Sequence, residues 1–448
     1  MPLPVAGAMR YCGGVMNRSW ALGDLLATLF ERRFGIKAAR SGRPLAELAA
    51  ALMSGRGEVS GLQVASELLA GWKAASSDER IGFFQHLADA YDLDPGAVAE
   101  AAVSYAGQRD AATLERLLGA AEPPRQELLR RLNQAPGGTG DLVRMREALM
   151  AAARDDKALE RVDLDFLHLF ESWFNRGFLV LRRIDWNSPA AILERIIAYE
   201  AVHAIQSWDD LRRRVQPPDR RCFAFFHPAM PDEPLIFVEV ALTRGLPGAI
   251  APILAEDRAA LPVEQADTAV FYSISNCQAG LRGISFGNSL IKQVVGMLSA
   301  EMPHLTGFVT LSPIPGLLRW LATQDDDAAR AVLAAAEPGG DPAAVAETAR
   351  RLAARYLLHA RAGDGQPQDP VARFHLGNGA EVHEVHALAD LSPRGRGQSC
   401  GVMVNYRYDR AAVEANHEAY ATERSIAAAR AIRALAQPVR AARRKETS

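Results

Sequence analysis

The sequence has no long hydrophobic run and no excess of charge of either sign. Its longest apolar stretches, such as PLIFVEVAL, are far shorter than the ~20 residues that span a bilayer. The N-terminus also lacks a charged segment followed by a sustained apolar run. There are 51 Lys and Arg residues against 53 Asp and Glu residues, a net charge of −2, whereas nucleic-acid binding needs a basic surface. We therefore expect a cytoplasmic protein that binds neither membranes nor nucleic acid.

Cysteine is scarce as well. The four cysteines are dispersed along the chain and form no C-x-x-C pair: Cys12, Cys222, Cys277 and Cys400. This spacing excludes a zinc ribbon, a dithiol redox motif and a secreted disulfide framework. We expect reduced thiols and no metal bound by cysteine.

One histidine motif invites a metal interpretation. His383 and His386 have the H-x-x-H spacing, but on a strand two residues three positions apart point to opposite faces. The sequence contains no H-E-x-x-H motif, and no cysteine lies near these histidines to complete a site. We expect no metal centre here.

The chain of 448 residues divides by pattern into two parts. From about residue 20 to 180, apolar residues recur at helical spacing, as in RIGFFQHLADAY and DLDFLHLFESWF. After Arg183, short runs rich in β-branched and aromatic residues, such as PLIFVEVALT and TAVFYSIS, indicate strands. Helical segments such as SLIKQVVGMLSAEM lie between them. We predict an α+β fold, with a helical domain over residues 1–183 and an α/β domain over residues 184–448.

The stretch GLRGISFGNSLIK, residues 280–292, supports two interpretations. It contains G-x-S-x-G, the signature of a hydrolase nucleophile elbow, with Ser285 as nucleophile and Asp390 and His417 as possible partners. It also reads as a small-residue loop opening a helix, whose free N–H groups bind phosphate beside Arg282. Ser285 lies about ten residues beyond the strand-like TAVFYSIS, whereas an elbow serine follows its strand immediately. Spacing therefore favours the phosphate loop without deciding the matter.

Two further residues lie next to turn signals. Ser312 ends a strand-like run in LTGFVTLSPIPG, where Pro313 and Pro315 stop ladder pairing. His375 precedes LGNG, a pattern typical of turns. On these patterns alone, both residues are turn formers.

Taken together, five segments resemble malonyl-CoA decarboxylases. They extend from about residue 80 to 410 and are FFQHLADAYDLDP, SWDDLRRRVQPPDRRCFAFFHP, TAVFYSISNCQAGLRGISFGNSLIKQVV, LSPIPG and FHLGNGAEVHEVHALADLSPRGRGQSCGVMVNYRYD. The resemblance implies a helical domain followed by a catalytic domain with the GNAT (acetyltransferase-type) fold. It implies conversion of malonyl-CoA to acetyl-CoA and CO2 with no cofactor, since the thioester serves as electron sink. Family members often assemble through the helical domain, so a homo-oligomer is expected.

The resemblance also implies site residues. In that fold the pyrophosphate of acyl-CoA lies on a loop of pattern R/Q-x-x-G-x-G/A, and Ser285 stands at the fourth position, where glycine is usual. The implied residues that bind malonyl-CoA are Arg282, Gly283, Ile284, Ser285, Phe286, Gly287, Asn288 and Ile291. The implied catalytic pair, which stabilises and protonates an enolate, is Ser312 and His375.

Three other functions remain open from the sequence. An acyl-CoA N-acyltransferase on the same fold would bind CoA in the same way and transfer the acyl group to an amine. A serine hydrolase would use Ser285, and a non-catalytic scaffold would only bind CoA. The sequence assigns no role to Tyr406 or Tyr408 and does not decide whether methylmalonyl-CoA is accepted.

Overall fold

The computed structural model describes residues 42–54, 57–284 and 290–437, except for the side chain of Glu58. The chain forms two compact units. One contains Met1–Ser172 and Pro228–Pro231, and the other contains Trp173–His227 and Asp232–Ser448. Within the described residues no helix is long and apolar enough to cross a membrane.

The first unit is helical, as predicted. Its helices are α1 Leu45–Met53, α2 Glu58–Ala74, α3 Ser77–Ala90, α4 Pro95–Gly107, α5 Ala111–Ala120, α6 Pro124–Asn133, α7 Gly138–Ala152 and α8 Glu160–Trp173, whose last residue belongs to the second unit. Helix α3 begins at a capping box, in which Ser76 and Glu79 each bond the other's backbone N–H. Its apolar face buries Phe83, Phe84 and Leu87. The helical periodicity of RIGFFQHLADAY thus corresponds to a buried stripe.

The second unit is built on a mixed sheet flanked by helices. The strands are β1 Val180–Ile184, β2 Arg220–Phe226, β3 Ile236–Thr243, β4 Thr268–Asn276, β5 Gly307–Thr310, β6 Ser312–Pro313, β7 Glu381–His386 and β8 Met403–Arg407. The helices are α9 Ala190–Tyr199, α10 Trp208–Val215, α11 Ala251–Leu254, α12 Leu290–Glu301, α13 Leu317–Leu321, α14 Asp327–Ala336, α15 Ala346–His359, α16 Pro370–Gly377, α17 Pro393–Ser399, α18 Val413–Glu423 and α19 Arg430–Leu435. The predicted α+β class is confirmed.

The strand order is β1-β2-β3-β4-β5-β8-β6, and β7 pairs with β8. Strands β1 to β4 are antiparallel, whereas β4 and β5 are parallel. The segments PLIFVEVALT and TAVFYSIS, predicted as strands, correspond to β3 and β4. All residues of β2 are buried, which explains why its last five residues, Cys222 to Phe226, form a continuous apolar run rather than an alternating pattern.

Two irregularities of β4 shape the sheet beside the site. Glu239 pairs with Ser273 whereas Val240 pairs with Phe271, so Tyr272 is an extra residue that forms a β-bulge. The pairing of β4 with β5 ends at Phe271 and Thr310, while β4 continues alone on that side to Asn276. The two strands therefore part at this point and leave room between them.

Candidate active site

The fold brings Ser312 and His375 together from 63 residues apart, with Ser312 Oγ 3.1 Å from His375 Nε2. Ser312 is the first residue of β6, and His375 lies in the last turn of α16. The structure therefore places His375 on a helix, and the turn signal LGNG marks where that helix ends. Both side chains are buried, with exposed fractions of 6 % and 2 %.

Asp369 holds the two elements that carry this pair. It caps α16, with Pro370 at the first helical position, and accepts hydrogen bonds from Val371 N at 3.0 Å and Ala372 N at 2.9 Å. Its other carboxylate oxygen accepts from Gly316 N, in the SPIPG turn, at 3.4 Å. A side chain at Gly316 has no room, since its Cβ would lie 2.1 Å from the Tyr356 hydroxyl. The SPIPG turn is thus tied to the start of the helix that carries His375.

The pair belongs to a longer chain of hydrogen bonds. Ser312 Oγ donates to Thr310 Oγ1 at 2.8 Å, and Tyr406 N donates to the same Thr310 atom at 3.1 Å. On the other side of the ring, His375 Nδ1 lies 2.8 Å from the Tyr408 hydroxyl. The Tyr406 ring stacks on the imidazole at a centroid distance of 4.5 Å. Four side chains in a row therefore link Thr310 to Tyr408 through the catalytic candidates.

Burial sets the protonation state of these groups. It lowers the pKa of His375 to about 3, because the imidazolium form loses its hydration. It raises the pKa of Tyr408 well above its usual value, so Tyr408 stays a phenol and donates to Nδ1. The remaining ring proton is then on Nε2, where it donates to Ser312 Oγ. The pair is therefore a neutral, hydrogen-bonded dyad.

A cavity of 260 Å³ opens onto the dyad. Its walls are mostly apolar and come from four parts of the chain: Val202; Phe271, Tyr272, Ile274 and Asn276; Ser312 and Pro313; and Pro370, Val371, Phe374 and His375. It lies where β4 continues beyond its pairing with β5. We call it the acyl cavity. Among its mostly apolar walls it carries one hydroxyl, from Ser312, and one imidazole, from His375.

Three of the residues predicted to bind malonyl-CoA line a neighbouring cavity of 430 Å³. Arg282, Gly283 and Ile284 lie on its wall, and Asn276 lines both cavities. Gly283 has a φ of 90°, a conformation that favours glycine. Ile291 is fully buried in α12. Four other predicted residues lie outside the described part of the chain: Ser285, Phe286, Gly287 and Asn288.

The partners proposed for a hydrolase elbow have local roles. Asp390 accepts a hydrogen bond from Ser392 N at 3.0 Å. His417 Nδ1 donates to the Gly377 carbonyl at 2.7 Å. Each side chain thus stabilises the turn or helix end beside it.

The H-x-x-H histidines also have protein partners. His383 Nδ1 lies 3.1 Å from Glu381 Oε1, and His386 Nε2 lies 2.5 Å from Asn405 Oδ1. Within the described ranges, no group of three or more His, Cys, Asp or Glu side chains is arranged to hold a metal ion.

Sequence reasoning missed Thr310, Asp369 and both tyrosines of the site. A usable signal existed for two features. Asp followed by Pro in QPQDP is a helix-start pattern, and Tyr406 and Tyr408 share a strand face because they are two residues apart. Neither signal reveals that these side chains meet the imidazole.

Comparison with known proteins gives consistent matches over most of the chain. Residues 91–174 match the malonyl-CoA decarboxylase N-terminal domain, and residues 177–447 match the malonyl-CoA decarboxylase C-terminal domain. The crystal structure of malonyl-CoA decarboxylase from Rhodopseudomonas palustris is 51 % identical, with a TM-score of 0.83 over 87 % of this chain and 98 % of that one. The corresponding structure from Agrobacterium vitis is 48 % identical, with a TM-score of 0.82 over 88 % and 100 %. The mitochondrial malonyl-CoA decarboxylase of Anser anser anser is 35 % identical over 389 residues, 76 % of this chain and 77 % of the relative.

Proposed function

Because the chain belongs to the malonyl-CoA decarboxylase family, we propose that it converts malonyl-CoA to acetyl-CoA and CO2 at the Ser312–His375 dyad. The observation that supports this site is the buried contact of 3.1 Å between Ser312 Oγ and His375 Nε2 at the wall of the acyl cavity. The reaction is that of a carboxy-lyase and needs no cofactor, since the thioester carbonyl accepts the electron pair.

The two adjoining cavities suggest how malonyl-CoA binds. The pyrophosphate lies beside Arg282, which adds a positive charge, at the segment of residues 282–287 that the sequence predicts as a phosphate-binding loop. The pantetheine arm then follows β4 from Asn276 to Tyr272, about 13 Å at the usual rise of a strand. An extended pantetheine reaches over such a length. The malonyl group is thereby delivered to the end of the acyl cavity that carries Ser312 and His375.

In the chemical step, the bond between Cα and the carboxylate breaks and its electron pair forms an enolate on the thioester. CO2 leaves, and Cα then takes up one proton. When substrate binds, the single hydroxyl proton of Ser312 turns from Thr310 Oγ1 to the malonyl carboxylate, and this hydrogen bond fixes the orientation of the carboxylate. The apolar walls keep water from the carboxylate and favour its departure as a neutral gas.

His375 supplies the proton, but in a different way from a histidine with an ordinary pKa. Burial lowers the pKa of His375 to about 3, so the ring is not protonated before substrate binds. The malonyl carboxylate brings a negative charge beside the dyad, which favours the imidazolium form. When substrate binds, His375 takes up one proton from solvent at Nδ1, which then donates to the Tyr408 oxygen. Once the enolate has formed, the Nε2 proton passes to Cα and the ring is neutral again. Tyr408 holds the ring by its Nδ1 atom throughout.

The test is to incubate the purified protein with malonyl-CoA and follow acetyl-CoA by mass. We expect acetyl-CoA and CO2 in equal amounts and no acyl transfer when acetyl-CoA is offered with a panel of amines. Acylated amines without decarboxylation would contradict the proposal and support the acyltransferase.

The cellular location and the oligomeric state of the protein stay predictions. One is a cytoplasmic location, although the relatives from goose, rat and mouse are named as mitochondrial. The other is a homo-oligomer, which light scattering of the purified protein would measure.

A further inference from the structure

The segment of residues 200–206 joins α9 to α10 without regular structure and forms one wall of the acyl cavity through Val202. An irregular wall of this kind has backbone N–H and C=O groups that no helix or strand satisfies. In this segment charged side chains bind several of these groups.

Glu200 binds the N–H side of the segment. Its carboxylate accepts hydrogen bonds from Val202 N and His203 N, both at 2.8 Å. Ser273 Oγ donates to the two carboxylate oxygens at 2.7 and 2.8 Å. Ser275 Oγ lies 3.3 Å from one of these oxygens and accepts from Ala201 N at 3.1 Å. Glu200, of which 9 % is exposed, therefore ties the segment to β4 through its carboxylate.

Two arginines bind the carbonyl side. Arg214 donates to His203 O at 2.7 Å and to Ala204 O at 3.2 Å, and it is itself held by Asp210 and Glu239. Arg394 donates to Ala201 O. The segment is thus held on both its N–H and its C=O side. Strand β4 anchors this cavity wall, and the proposed pantetheine path follows the same strand.

We propose that Glu200 is a positioning residue for the decarboxylation, which keeps the Val202 wall fixed against β4 and so holds the malonyl thioester on the Ser312–His375 dyad. This inference rests on the proposed function. Glu200 touches backbone amides and serine hydroxyls, so it acts through the wall. Once the wall loosens, the acyl group shifts and water enters, and a displacement of about 1 Å at a reacting centre can cost about 100-fold in rate.

Two substitutions separate the effect of the hydrogen bonds of Glu200 from the effect of its charge. In Glu200→Gln, the amide oxygen accepts from Val202 N and His203 N, and the amide NH2 donates to the serine hydroxyls, so kcat should stay within about threefold of wild type. Glu200→Leu removes every bond, and kcat should fall about 10- to 100-fold. KM for malonyl-CoA should change much less, because the phosphates bind elsewhere.

Asp219 provides a matched control. It is another buried carboxylate of the same unit, and it holds a different loop by accepting from Arg258 and from Leu261 N at 3.0 Å. Asp219→Leu should lower the melting temperature as Glu200→Leu does and leave kcat near wild type. If both leucine variants lose kcat in proportion to stability, Glu200 is only structural and the proposal is wrong.

Hydrogen exchange of peptides covering residues 200–206 gives a readout that does not need turnover. We expect faster exchange in Glu200→Leu and wild-type exchange in Glu200→Gln. If Glu200→Leu does not fold, the Ser273→Ala/Ser275→Ala variant, which removes the anchor of Glu200, should show the same faster exchange with a smaller loss of kcat.

Three outcomes would overturn the inference. They are wild-type kcat in Glu200→Leu, wild-type kcat in the double serine variant, and a kcat of Glu200→Gln as low as that of Glu200→Leu. Absence of decarboxylation in wild type would instead refute the proposed function, and the exchange data would still report on the wall.

Discussion

The Tyr408 hydroxyl lies 2.8 Å from His375 Nδ1, on the edge of the ring opposite Ser312. Because Tyr408 donates to Nδ1, the ring proton of His375 is on Nε2, the nitrogen beside Ser312 and the acyl cavity. This contact also fixes the ring in the orientation that Ser312 requires.

Tyr408→Phe should therefore reduce kcat about 10- to 100-fold, because it removes a hydrogen bond that orients a catalytic group while keeping the aromatic ring. Steady-state kinetics with malonyl-CoA measure the effect. Tyr420→Phe, a buried tyrosine on α18, is the control and should retain wild-type activity. Equal activity of the two variants would show that Tyr408 is not required for orientation.

Ser312→Ala should lower kcat by about two to four orders of magnitude, the range for loss of a positioned polar group in the transition state. Affinity for CoA should change little, since the predicted phosphate loop is untouched. Titration calorimetry with CoA measures the affinity, and the rate assay measures kcat, so the two effects are separated. Turnover near the wild-type rate would remove Ser312 from the mechanism.

Arg282→Ala should raise KM for malonyl-CoA more than it lowers kcat, because a phosphate contact far from the reacting carbon contributes equally to ground-state and transition-state binding. The effect should shrink at high salt. Arg330→Ala, which removes an exposed charge paired with Asp325 and Asp327, is the control. A constant KM with a lower kcat would contradict the phosphate assignment.

Acid sensitivity of folding should depend on His375. Burial lowers the pKa of His375 to about 3, whereas in the unfolded chain it is about 6.5. Below pH 6.5 the unfolded state therefore binds a proton that the folded state does not, so stability falls as pH falls toward 3. Between pH 7 and 5 this group should cost about 2 kcal/mol. Denaturant titrations at both pH values should show that His375→Gln loses less free energy of unfolding between pH 7 and 5 than wild type does. Identical losses would refute this role of His375.

Ser285 lies outside the described residues, so its role is tested by substitution. In a phosphate loop only backbone approach matters, and Ser285→Gly should keep activity within about tenfold, whereas Ser285→Val should lose more by crowding the pyrophosphate. A nucleophile would make both variants equally inactive. Complete inactivity of the glycine variant, with labelling of wild-type Ser285 by a serine-directed phosphonate, would restore the hydrolase interpretation.

Local patterns identified the elements of this fold, but residue pattern alone did not identify the dyad. The apolar run PLIFVEVALT predicts β3 because it matches a strand buried on both faces. Ser312 and His375 have only turn signals nearby, and 63 residues separate them. Their contact depends on Asp369, which joins the SPIPG turn to α16. The family resemblance therefore assigned them a role that residue patterns could not.

Buried polar groups were the least predictable part of the site. Glu200, in the sequence EAVHA, carries a charge that local pattern would place at the surface, yet it is buried, because Ser273 and Ser275 on β4 donate hydrogen bonds to its carboxylate. The low pKa of His375 likewise follows from its burial, and only the folded chain reveals that burial. Such effects arise from tertiary contacts rather than local propensity.

The most direct measurement is decarboxylation of malonyl-CoA in D2O, with the methyl group of the product analysed by mass spectrometry for wild type and His375→Ala. We predict that wild type forms acetyl-CoA carrying one deuterium per methyl group. His375→Ala should form it about two to four orders of magnitude more slowly. Wild-type rate and deuterium incorporation in His375→Ala would contradict the claim that the Ser312–His375 dyad performs the reaction.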